Sequence, residues 1–504
     1  MAEKYSNYPL LDFSGGVNLS ASRLTSATKD CVTIENGELD KTGRISKVRG
    51  YKQRGTDVST GYDVLGAIGA YKPSTGTLKQ IVVADGIASS DAYTFNPITY
   101  VWTPHGLSLT LGAKAEFESF LDGFFMVNFS DATRWNNLTQ WYTTTNVTNA
   151  AKARYIKQYK SRIYLGYVTS GGTTYPSRIT YSDLPAGSPL TIGWDDSLNY
   201  FDVDNDDADV IKGLEVNADR LLIFKENSLH RYDTNSRYKI PGAPGTVSQR
   251  TIKNVEGITF YLHSTGIWGY NGTSSSLLSR KIQDIIEGMS TKNFNMACAG
   301  VIGDHYYLYV GDINNARRGL TITNCLIDYD IARDTFSWRS LLDDPTIFFV
   351  CRDRRLDVTY DEATVTYDTA DEVYDGTIEA VERLYFGTVD GCVHQFNTSR
   401  LYDTSDISFT METQDLFLGQ PSNYKLLQKL FFYTHQGVGI HVHYRLDDKD
   451  WKTLGRVDKE EQVLDFPAAA RCQKVRFKVT EMSGGDPFSF EGLDLFYQVE
   501  GLVE

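Results

Sequence analysis

The chain has 504 residues, and its 64 Asp and Glu outnumber its 50 Lys and Arg, for a formal net charge of −14. That balance excludes a protein built to grip nucleic-acid backbone, which needs a basic stripe, while keeping a large protein soluble. Aromatic residues make up 13%, with 32 Tyr beside 42 Gly, a mixture that suits strands joined by tight turns.

The length admits two or three domains, or one long all-β array with additions. Met1 to Tyr8 lacks a basic region followed by an apolar run, so no signal peptide is expected. No run of about 18 apolar residues predicts a membrane span. Residues 1–60 read as an N-terminal lead-in. Phe13-Ser14-Gly15-Gly16-Val17-Asn18 is a Gly-containing lead, and 31–39 and 44–48 form a β-hairpin around the turn Asp40-Lys41-Thr42-Gly43.

Residues 61–404 carry one recurring pattern, an aromatic followed by Asp or Asn with an apolar residue three positions earlier. It reads Ala92-x-x-Phe95-Asn96, Ala132-x-x-Trp135-Asn136, Leu229-x-x-Tyr232-Asp233, Ile267-x-x-Tyr270-Asn271, Leu326-x-x-Tyr329-Asp330 and Val393-x-x-Phe396-Asn397. Tyr181-Ser182-Asp183 is a degenerate copy. Copies recur about 40 to 65 residues apart, the period of a four-stranded blade that sometimes carries an insertion. The pattern predicts an all-β fold, a β-propeller of about six or seven blades. We expect Phe95, Trp135, Tyr232, Tyr270, Tyr329 and Phe396 to pack between neighbouring blades. The Asp or Asn should bond the following turn through its side-chain oxygen. One helix is expected where Ile282, Ile285, Ile286 and Met289 stand at i, i+3, i+4 and i+7, with Gly288 near its end.

Two acidic insertions break the repeat. The first holds Asp202, Asp204, Asp206, Asp207 and Asp209. The second spans about 357–382, with Asp357, Asp361, Glu362, Asp368, Asp371, Glu372, Asp375, Glu379 and Glu382. Long loops on a rigid scaffold often carry contacts, so both are candidate lumen or partner loops. From 405 to 504 the repeat stops. Strand-like runs at 425–434, 439–446, 474–479 and 493–499 predict a C-terminal antiparallel β-sandwich.

Catalytic and metal chemistry find little support. The Asp202–Asp209 run starts like an EF-hand loop, but Asp207 stands where the turn glycine belongs and Gly213 where the bidentate Glu belongs; a looser calcium site is the remaining alternative. Propellers also host glycosidases with paired carboxylates, yet no Asp or Glu sits at an apolar strand end that would raise its pKa. His441 and His443 share one strand face with Arg445, whose charge opposes a metal there. The six cysteines form no CxxC and fit buried, reduced thiols. No GxSxG, HExxH, P-loop or dinucleotide fingerprint is present. We expect no enzymatic activity, no metal and no cofactor.

The opening Asp12-Phe13-Ser14-Gly15-Gly16-Val17-Asn18, then Asn36-Gly37-Glu38-Leu39-Asp40 and Gly43-Arg44-Ile45-Ser46-Lys47-Val48-Arg49-Gly50-Tyr51, resembles the start of phage tail nozzle proteins. These include the packaged-DNA stabilization and tubular tail proteins of short-tailed phages. The closing stretch, with Lys425, Tyr444-Arg445-Leu446-Asp447, Trp451, Leu454-Gly455 and Arg471, resembles the closing sandwich of such chains. The likeness covers both ends, about 150 residues, and its motifs are structural. It implies a six-fold ring of copies on the tail axis, below the portal and adaptor proteins. Such a ring meets tail fibre or plug proteins, lines the exit channel and helps retain packaged genomic DNA until ejection. It implies a virion protein made in the host cytoplasm, with no catalytic residues. An acidic wall suits this, because it repels phosphates and lets a duplex slide; retention then needs a gate. Larger nozzles carry long extra insertions that this compact chain lacks. The alternatives are a tail-tip or baseplate scaffold for fibres, and a cellular propeller that binds ligands or glycans.

Overall fold

The computed structural model describes the whole chain except residues 1–4, 21–26, 41, 143–149, 186, 188–191, 196, 235, 317–318, 355–379, 437–438, 469, 482–487 and 503–504. The protein is all-β, with a six-bladed β-propeller arrangement. Six separate four-stranded sheets recur. Blade A is Val64–Lys72, Thr77–Ala84, Asp91–Asn96 and Val101–Pro104. Blade B is Glu116–Phe120, Gly123–Val127, Arg134–Asn136 and Trp141–Tyr142. Blade C is Lys152–Tyr159, Arg162–Ser170, Thr173–Tyr181 and Tyr200–Asp202. Blade D runs Ile211–Asn217, Arg220–Lys225, Leu229–Tyr232 and Arg237–Lys239, and blade E runs Lys253–Val255, Ile258–His263, Gly266–Tyr270 and Ser275–Leu277. Blade F takes Pro345–Arg354, Ala380–Thr388 and Val393–Ser399, with Gly50–Gln53 as its fourth strand.

A further quartet, Cys298–Ile302, His305–Asn315, Leu320–Asp330 and Thr335–Ser340, follows the same up-and-down plan but does not stand alone. Its last strand pairs in parallel with Asp30–Glu35 through Glu35 and Trp338. From there a ten-stranded sheet continues through Phe409–Thr413, Val475–Glu481, Ile440–Leu446 and Lys452–Val457. A second sheet of seven strands is built on Asn423–His435 and Ser489–Leu502. Ser6–Leu10 pairs antiparallel with the latter strand, and the hairpin Gly37–Leu39/Ile45–Lys47 adds to its other end. The period-2 burial of Ile440–Leu446 buries Ile440, Val442, Tyr444 and Leu446 and leaves His441, His443 and Arg445 on the other face.

Two compact units emerge. The first comprises residues 1–53, 220–345 and 396–504, and the second 54–219 and 346–395. The first is centred on a core that includes Phe13, Phe409, Phe432, Phe490 and Trp338. The second is built from smaller cores at blade junctions. One gathers Val82, Phe95 and Trp102 with Ile347, Phe349 and Tyr385, and another gathers Phe125 and Trp135 with Ala153, Ile156 and Ile163. Close approach of backbones is built in: a Cβ at Gly69 would lie 2.4 Å from the Val350 carbonyl oxygen. Helix is scarce. The expected helix is a 3-10 turn, Ser279–Ile282, running into one α-turn, Gln283–Glu287, with Ile282, Ile285 and Ile286 buried. Gly288 ends it, and a Cβ there would press on Ile313 at 2.8 Å. All six cysteines are free thiols.

Candidate functional site

The repeated motif is structural down to its atoms. Phe95, Trp135, Tyr232, Tyr270, Tyr329 and Phe396 are each at most 9% exposed. Phe95 and Trp135 pack at the junctions of blades A and F and of blades B and C. The following Asn or Asp bonds the turn beyond it. Asn96 Oδ1 accepts from Ile98 N–H at 2.9 Å, Asn136 Oδ1 from Leu138 N–H at 2.6 Å and Asp233 Oδ1 from Ser236 N–H at 2.8 Å. Asn271 Oδ1 accepts from Thr273 and Ser274, and Asp330 Oδ1 from Arg333 N–H at 3.0 Å. Such turns trade a local side-chain bond for a backbone one. The sixth copy departs from this. Asn397 sits at φ 56°, and its Oδ1 accepts from the Arg339 guanidinium at 2.6 Å.

Arg339 is completely buried and is the hub of a polar network within the first unit. It donates to the Arg49 carbonyl oxygen (3.1 Å) and reaches Asp328 (3.4 Å) and Glu38 (3.6 Å). It stacks over Tyr307 and Phe396 at 5.1 and 4.9 Å. Asp328 also bonds His305 Nδ1 at 2.8 Å. Burial works against the His305 charge, but the Asp328 carboxylate outweighs it and holds the imidazole pKa above its usual value. The network ties the quartet at 298–340 to the lead-in and to the end of the strand Val393–Ser399.

A second charge cluster, within the second unit, joins the first strands of three blades. Lys157 of blade C lies 3.5 Å from Glu118 of blade B and 2.9 Å from Glu215 of blade D. Burial penalises the Lys157 charge, yet the two carboxylates raise its pKa. Glu118 is raised, chiefly by desolvation, with Glu215 adding to the rise and Lys157 opposing it. Side chains thus bridge the space between these inner strands. Sequence reasoning missed this cluster. Its signal was there: charged residues of both signs in the first strands of three consecutive blades, Glu118, Lys157 and Glu215 among them.

The first acidic loop follows the last strand of blade C. Asp202 at its base pairs with Arg178, whose Nε and Nη2 donate at 2.8 and 3.0 Å. That guanidinium lies between the rings of Tyr175 (3.8 Å) and Tyr200 (4.1 Å). At the far base Asp209 is buried; its N–H donates to Asp207 Oδ1 at 3.0 Å, and its carbonyl accepts from Ser177 Oγ at 2.9 Å. The tip, Asp204, Asn205, Asp206 and Asp207, is exposed. The five carboxylates are therefore split between base and tip. Among the described residues no three His, Cys, Asp or Glu side chains converge on a metal-sized point. Asp361, Glu362, Asp368, Asp371, Glu372 and Asp375 of the second loop lie outside the described residues, as do Asp357 and Glu379, while Glu382 pairs with Arg352 at 3.2 Å. His443 bonds Thr480 and Thr453 at 3.2 Å each, and His435 pairs with Glu460.

No protein-family model and no curated protein matches this sequence. Solved structures similar to it include YCF48 bound to D1 peptide, at 7% identity and TM-score 0.38, covering 70% of this chain and 98% of that one. BamB from Moraxella catarrhalis is similar at 12% identity and TM-score 0.33, covering 73% and 94%. The extracellular domain of the one-component system BT4673 from B. thetaiotaomicron is similar at 11% identity and TM-score 0.40, covering 90% of this chain and 60% of that one. Identities of 7–12% make these likenesses of fold and nothing more. The class is that of six-bladed β-propeller arrangements.

Proposed function

We propose that this chain is a structural virion protein, a subunit of a ring on the axis of a short phage tail that continues the DNA exit channel. The observation that carries the reading is where the two nozzle-like ends meet. Ser6–Leu10 pairs along Ser489–Leu502, and Phe13 packs on Phe490 at 5.1 Å. The Asp12–Gly16 motif interlocks with the hairpin turn: Phe13 N–H donates to the Gly43 carbonyl, and Gly43 holds φ 84° beside Asp12. The hairpin of the nozzle-like start and the strand that holds Lys425 thus share the seven-stranded sheet, while Gly16–Val17 and Tyr444–Leu446 enter the ten-stranded one, so both ends contribute to the same two sheets. The exposed acidic tip at Asp204–Asp207 and the net charge of −14 suit a wall that a duplex slides past. The role is non-enzymatic. The Ser228–His230 pair is buried on both sides, and the motif aromatics are spent on packing.

The test is to locate the chain by cryo-EM of purified virions from a phage that encodes it. Density in a ring around the tail axis is the expected result. Absence from the particle, or density only on peripheral fibres, overturns the reading and turns attention to a fibre scaffold or a ligand-binding propeller.

A further inference from the structure

Charge on this chain is unevenly spread. Against a net −14, one cleft in the second unit gathers Arg54, Lys79 and Arg352, the last already sharing Glu382 at 3.2 Å, around the segment Thr75–Gln80, with Phe95, Pro97 and Cys351 completing the wall. The cleft holds about 330 Å³, room for the tip of a loop and not for a folded element. Arg54 is fixed in place: its guanidinium lies 4.6 Å from the Phe95 ring centroid and 5.9 Å from that of Tyr385. Gln80, on the inner wall, is 5% exposed, and its Oε1 has no hydrogen-bond partner among the described residues. A buried acceptor left this way costs free energy that an incoming N–H recovers. The cleft therefore calls for an occupant carrying carboxylates beside an amide.

The same chain presents one. Asp204-Asn205-Asp206-Asp207 is exposed on a loop whose two bases are pinned by Arg178 and Ser177. It presents the exposed Asp206 carboxylate between those of Asp204 and Asp207, the last also accepting from Asp209 N–H, and a side-chain amide on a pre-ordered tip, so little entropy is lost on docking. We propose that the 202–209 loop of one copy docks into the Arg54/Lys79/Arg352 cleft of the next. A contact between two different faces of identical chains is head-to-tail, and such contacts close into rings when the rotation between copies divides a full turn. The inference rests on the ring reading and names the contact that builds it. Charge at such an interface sets register and on-rate.

The experiment measures the assembly state of the full chain by native mass spectrometry and light scattering at low and high salt. Two variants are compared with wild type, Asp204→Lys/Asp206→Lys/Asp207→Lys and Lys79→Glu/Arg352→Glu. Unchanged circular dichroism and melting temperature select folded protein; Asp204, Asp206, Asp207 and Arg352 are exposed, and Lys79 is half-buried. Wild type should form a closed ring that loosens with salt, and each variant alone should associate at least about tenfold more weakly. Mixing the two should restore mixed assemblies, because the reversed loop now meets the reversed cleft. Variants that assemble like wild type, or a mixture that stays dissociated, overturn the docking and leave the ring reading standing. A wild-type chain that stays monomeric at low salt overturns both.

Discussion

At the scale of single residues, five of the six Asn and Asp of the repeat hold the turn that follows. Asn271 shows this plainly, since one oxygen holds both Thr273 and Ser274 N–H groups at 3.0 and 2.9 Å. Asn271→Ala removes both bonds at an exposed turn and should cost about 1 kcal/mol, comparable to the loss of a helix cap. Urea denaturation of the variant checks it; an unchanged midpoint would mean the turn holds without its side chain. His305 supplies a pH dependence. Its pKa is raised in the folded chain by Asp328, so the folded state binds its proton more tightly than the unfolded state does. Its contribution to stability is complete below the unfolded value of about 6.5 and is lost as pH rises through the higher folded value. Stability measured across neutral pH should fall with rising pH in wild type and fall less in His305→Gln. Equal slopes would assign the dependence elsewhere. The motif aromatics were legible in sequence because an aromatic three positions after a buried aliphatic repeats at blade spacing. The diversion of Asn397 to Arg339 was not legible, because it depends on a residue 58 positions away.

At the scale of elements, first strands carry the most information. Ile211–Asn217, Lys152–Tyr159 and Glu116–Phe120 each place one charged side chain of the bridge between blades. Removing the ammonium in Lys157→Met leaves Glu118 and Glu215 facing each other, partly desolvated and alike in charge. The expected cost is about 3 to 5 kcal/mol near neutral pH, as for a broken buried pair. Glu118 already has a raised pKa, so its folded state takes up a proton before the unfolded chain does. Acidification toward the usual carboxylate range should therefore recover part of the loss in the variant. Thermal melts at two pH values test this. A deficit that acid leaves untouched would show that packing of the lysine stem, not charge, is responsible. The short α-turn at Gln283–Glu287 is the element where periodicity promised more than was built. Ile282, Ile285 and Ile286 are buried as the pattern requires, but Gly288 is pressed against Ile313, and the chain turns there.

At the scale of the whole molecule, net charge decides how the protein meets DNA. With −14 overall, and the Arg54/Lys79/Arg352 cleft too small for a duplex, the full chain should not retain duplex DNA at physiological salt. We expect a dissociation constant weaker than about 10⁻⁴ M, the weak end of non-specific binding. Fluorescence anisotropy with a labelled duplex measures it, and tight, salt-sensitive binding would contradict a sliding wall.

The sequence by itself determined the all-β class, the blade repeat, the burial of its six aromatics and the turn-forming role of five of its six Asn and Asp residues. These depend on local spacing, which strand and turn geometry convert directly into which side chain faces inward. Tertiary structure alone decided which blades stand as separate sheets and that the quartet at 298–340 runs on into a ten-stranded sheet. It also decided that the two ends share one sheet and that Arg339 and Lys157 gather their partners. Those outcomes rest on pairings between residues tens to hundreds of positions apart, and no local period encodes them.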